Sequence, residues 1–228
     1  HSTRPGAAGD GDEVAAQAQA QAPPDSQLGY ESEVATWAAV DALLAALASA
    51  GGGDGWSGGA VGAHAAHSRA LLLHRLASSV ERSSGDPHAL GAMLGCARGL
   101  MLPALAVIPT GGHLATTAEL IEAARLLHSA LLESLRRCAL RPSNLQPPLC
   151  ASAAAVLLGA PILSCASLLT ECRAAFGFLV QLGTTRPFAA KHAARRLCEW
   201  TYRAVCGATG MRGGDGSKGG GEGGGEGG

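Results

Sequence analysis

The chain has 228 residues, a formal net charge of −1 and 47% hydrophobic residues, enough for one ordinary domain or two small ones. Alanine (46) and leucine (31) far outnumber valine (9) and isoleucine (3), and aromatics make up only 4%. Strands draw on valine, isoleucine, threonine and aromatics, whereas alanine and leucine are strong helix formers. A β-sandwich, a β-barrel and a large parallel sheet are thereby excluded, and the composition predicts an all-α fold.

Residues 1–29 are small and polar, with a Gln-Ala alternation followed by Pro23-Pro24, and read as a disordered low-complexity tail. Residues 207–228 are mostly glycine and read as a disordered linker. The helical domain is therefore expected over residues 30–206. Residue 1 is His, which suggests a processed product or a piece of a longer protein. Residues 1–27 hold no apolar stretch of the signal-peptide kind.

Glycine and proline punctuate seven helical runs. The first, over 33–50, places Trp37, Val40, Leu44 and Leu47 on one face. The second, over 63–80, turns Leu72, Leu73, Leu76 and Val80 inward. The third starts with Asp86 as cap and Pro87 in the first helical position. Its face is Leu90, Met93, Leu94, Ala97 and Met101, and Pro103 kinks or ends it. The fourth carries a capping box, Thr116-x-x-Glu119, and a stripe of Leu120, Ala124, Leu127, Leu131 and Leu135. Arg136 and Arg137 stand at its C-terminal end, where the helix dipole favours cations.

The fifth run starts at Pro147-Pro148 and reaches Leu158. The sixth follows Pro161 and extends to Leu182, with Leu168, Leu169, Cys172, Phe176, Leu179 and Val180 as its core and Gly183 as its C-cap. The seventh starts at Pro187 and ends near Cys206. There Phe188, Leu197, Trp200, Ala204 and Val205 are expected on the apolar side, and Lys191, Arg195 and Arg196 outward.

Amphipathic helices joined by short Pro/Gly turns make consecutive helices antiparallel neighbours. In this the run over 30–206 resembles the armadillo and HEAT class of α-solenoid, and the resemblance implies antiparallel hairpins stacked into a short solenoid. It is architectural only, because no internal repeat of the length usual in those families stands out. An up-down helical bundle is the rival arrangement.

Catalytic, cofactor and metal motifs are not found, so neither an enzyme nor a cofactor or metal site is expected. His64, His67 and His74 share a helix face, but His74 stands ten residues beyond His64, about 15 Å along the axis. The seven cysteines form no CxxC; they read as buried thiols of a reducing intracellular compartment, cytoplasm or nucleus. The glycine-rich loop 51–59 lacks the Lys-Ser/Thr end of a phosphate loop. Its Trp56 is an aromatic on a loop and a candidate partner contact.

Residues 142–170 carry no charge, and 149–169 are long enough to span a bilayer. Pro161 interrupts that stretch and its alanine, serine and cysteine insert weakly, so buried soluble helices are expected over a membrane-inserted hairpin. Charge is uneven. Residues 30–133 hold 5 basic and 9 acidic side chains, and residues 134–206 hold 9 basic and 2 acidic. The last run gathers Lys191, Arg195, Arg196 and Arg203 into a basic face, with Tyr202 beside it. These features point to a non-enzymatic scaffold or adaptor that binds another protein, with a nucleic-acid module on the basic last helix as the alternative.

Overall fold

In the computed structural model the described residues are 24–49, 59–83, 85–106 and 114–208, and they contain helices and no strand. The helices are α1 (Pro24–Ser49), α2 (Gly59–Arg82), α3 (Pro87–Ala106), α4 (Leu114–Ala139), α5 (Pro147–Leu157), the single turn α6 (Ala160–Leu163), α7 (Leu169–Leu182) and α8 (Pro187–Ala208). Two 3₁₀ turns, Pro142–Asn144 and Ala166–Leu168, fill the corners. The fold is all-α, as the composition predicts.

Where a local cap writes the start of a helix, the start is where the sequence puts it. The Asp86 carboxylate accepts from the His88 and Ala89 backbone N–H groups at 3.3 and 3.1 Å, and Pro87 opens α3. The other boundaries move. α1 begins at Pro24, inside the stretch read as tail, because proline suits the first turn of a helix as well as a linker. α3 continues through Pro103. α4 begins two residues before Thr116, so that residue lies in the first turn and not at its cap. The Glu119 carboxylate instead meets His67 Nδ1 on α2 at 3.1 Å.

The largest correction concerns the sixth run, which is three pieces. The chain turns at Gly159, makes one turn as α6, turns again through 166–168 and only then starts α7. A Cβ at Gly159 would lie 2.7 Å from Leu102, so α3 packs directly on this corner. The apolar segment 149–169 is therefore bent between short helices, with Leu149, Leu157, Leu158, Ile162 and Leu168 buried. One described helix, α3, is long and apolar enough to cross a membrane, and more than half of its most apolar window is buried against other helices.

α3 sits at the centre, touching α1, α2, α4, α5 and α6. The most extensive pairings join helices two apart in the chain, α2 with α4 and α1 with α3. α2 and α4 run in the same direction: His67 meets Glu119 at one end and the Ser83 hydroxyl lies 3.5 Å from that of Ser134 at the other. Gly85 makes the turn between α2 and α3 with φ +80°, and a Cβ there would lie 2.7 Å from the Arg137 Cβ. The Cys138 thiol donates to the Gly85 carbonyl at 2.7 Å, fastening that turn to α4. α5 lies on α3 and α8, and α7 on α8.

The predicted stripes of α3 and α4 are buried throughout. Elsewhere single residues fall outside. Leu72, Leu169, Val180 and Val205 are exposed, at 43, 49, 42 and 55%. Ala204 is exposed too. Leu169 opens a new helix instead of continuing an old one, so its phase is reset. Val180 lies one position off the stripe of Cys172, Ala175 and Leu179, which is buried. The side chains of Leu44 and Leu47 lie outside the described residues, and so does Trp56.

Candidate interaction face on the last helix

α8 carries four of the five candidate contact residues. Its inward side is Ala189 and Ala193, fully buried, with Phe188, Leu197 and Trp200 packed against the core. The Trp200 indole N–H donates to the Ser164 hydroxyl at 3.4 Å, tying α8 to the corner after α6. Gly183, just before α8, has a right-handed φ of −61°. A Cβ added there would run into that of Ala190, so this position needs glycine for close approach and not for a left-handed cap.

The four basic residues are not equivalent. Lys191 and Arg203 are exposed, and among the described residues neither forms an ion pair. Arg195 and Arg196 converge on one carboxylate: Arg195 Nε donates to Glu199 Oε1 at 2.9 Å and Arg196 Nη1 to Oε2 at 2.7 Å. Arg195 remains 75% exposed, whereas the Arg196 side chain is 26% exposed and its Nε is buried without a hydrogen bond. The expectation that Arg196 leans outward is thus corrected; it packs along the flank of α8. The hydrogen bond from Arg195 holds the Glu199 carboxyl below its ordinary pKa, helped by the charges of Arg196, Arg195 and Arg203.

Two further basic residues of the second half are engaged on α4. Arg136 and Arg137 pair with Glu133 on α4 at 3.6 and 3.4 Å, and Arg136 also stacks over the Phe178 ring at 5.6 Å. Arg141 and Arg173 are exposed beyond α4 and on α7.

Between the basic residues runs a stripe that charge reading overlooks. Lys191, Ala194, Cys198, Thr201 and Val205 follow a strict 3-4-3-4 spacing, and all are exposed. Tyr202 stands beside them at 71% exposure. The spacing was available in the sequence, but alanine, cysteine and threonine suit an inner or an outer face equally well. Cys198 is the exposed one of the seven free thiols. By contrast Cys96 and Cys172 are buried, which pushes their thiols up to about 12, and Cys138 and Cys150 to about 11. Those four stay protonated and unreactive near neutrality.

One buried titratable group also escaped the sequence. His128 on α4 is completely buried, and its Nε2 faces the Leu157 carbonyl on α5 at 3.0 Å. A carbonyl only accepts, so Nε2 carries the proton. Nδ1 is left without a hydrogen bond. Burial lowers the pKa of His128 despite the Leu157 bond and the Glu171 charge, which favour protonation. The ring is sealed from solution and serves to tie α4 to α5. Among the described residues no group of three or more His, Cys, Asp or Glu side chains converges as a metal site.

The chain matches no family model, no curated protein and no solved structure.

Proposed function

We propose that this protein is a non-enzymatic helical scaffold that docks an acidic protein partner along α8. The observation that carries the reading is the outward side of that helix. Lys191, Arg195, Cys198, Tyr202 and Val205 are all exposed along it, over about 21 Å of helix. Four bases against the single Glu199 leave the helix with a surplus of positive charge, which attracts anionic surfaces.

The packing order supports a stacked, armadillo- or HEAT-like arrangement over an up-down bundle. In a bundle with short loops, consecutive helices are the chief neighbours. Here the largest contacts join helices two apart, as when hairpins stack and each helix lies beside its counterpart in the next hairpin. On this reading α1, α3, α5 and α8 form one layer, and α2, α4 and α7 the other. α8 is then a terminal helix with one face free for a partner. Its exposed thiol suits a reducing intracellular compartment.

The test is affinity capture on the full chain, in parallel with the Lys191→Glu/Arg203→Glu variant and with nuclease added. A protein retained by the parent, lost on the variant and insensitive to nuclease is the expected result. Capture that disappears with nuclease would move the assignment to nucleic acid.

A further inference from the structure

We draw no further inference here: the strongest candidate, the exposed side of α8 around Ala194, Cys198 and Tyr202, belongs to the docking face already described, and nothing in the structure shows what covers it.

Discussion

α4 and α8 are both long amphipathic helices, yet among the described residues α4 is packed against α2, α3, α5 and α7, while α8 rests chiefly on α5 and α7. On α4, Leu127, Leu131 and Leu135 are 0, 0 and 1% exposed, and its acids find basic or His partners on α4 and α2. On α8 the inward stripe includes half-buried Leu197 and Trp200, and the opposite side exposes Cys198, Tyr202 and Val205. The same sequence rule, apolar residues three and four apart, produces a closed seam in one helix and an open one in the other. The difference is the number of neighbours, which no local pattern encodes.

The sharpest way to break this comparison is to empty each seam in turn. Leu131→Ala leaves a cavity in fully buried surroundings and should cost about 2–5 kcal/mol, read as a lower urea midpoint at unchanged slope. Val205→Ala on α8 should stay within about 0.5 kcal/mol, as exposed substitutions do. Similar losses at both positions would mean that α8 is enclosed as α4 is.

A somewhat smaller effect is expected at the turn that fastens α3 to α4. Gly85→Ala forces a side chain into φ +80° and against Arg137. The left-handed conformation alone costs about 1–2 kcal/mol, and the contact adds to it. The Gly207→Ala change near the end of α8 meets no atom within 4 Å and should be neutral or slightly stabilising. Thermal melts of the two variants measure the contrast.

The starts of α3, α5 and α8 were legible because each is written locally, by Asp86-Pro87, Pro147 and Pro187. The stripes of α3 and α4 were legible because many leucines repeat one period. The turn after Leu158 was legible from Pro161, but the second break, between Leu163 and Leu169, was not, since alanine, serine, cysteine and leucine all tolerate a helix. The contact that marks this break is tertiary, Trp200 bonded to Ser164. Of the candidate face, the charges were legible and the exposed stripe was not. The clasp of Arg195 and Arg196 on Glu199 obeys i+4 and i+3 spacing, but spacing does not reveal that Arg196 is largely covered along the flank of α8. His128 gives no local sign either, because its partner, the Leu157 carbonyl, lies 29 residues on.

That histidine separates the two regions by pH. Burial lowers the pKa of His128 in the folded chain. The unfolded chain takes up the proton near the ordinary value of about 6.5. Below that the unfolded state binds more protons than the folded one, so stability falls as the pH drops from about 6.5 toward the lower folded value. It is fully retained above. The slope in that window should not exceed about 1.4 kcal/mol per pH unit for one group. Urea titrations between pH 5 and 8, as a rough span around that value, should show the loss in the parent. His128→Gln keeps a donor for the Leu157 carbonyl and should remove the slope. An unchanged slope in the variant would assign it to other histidines.

The smallest effect on stability is expected where binding should change most. Lys191→Glu/Arg203→Glu reverses two exposed charges, neither with an ion partner among the described residues. Long cationic side chains in water gain little from the fold, so the change should move stability by less than about 1 kcal/mol. Arg196→Glu is the contrast: its side chain is only 26% exposed, its Nη1 meets Glu199, and its Nε is buried. A carboxylate in that place faces Glu199 and loses the buried stem, so this single change should melt the protein earlier than the double one. Differential scanning calorimetry of both variants in the same buffer reads the order directly. If the double variant melts earlier, Lys191 and Arg203 belong to the fold and do not form part of an open face of α8. If Arg196→Glu melts earlier, the division of α8 into a packed flank and an exposed side stands, because Arg196 then serves the fold and the exposed Lys191 and Arg203 do not.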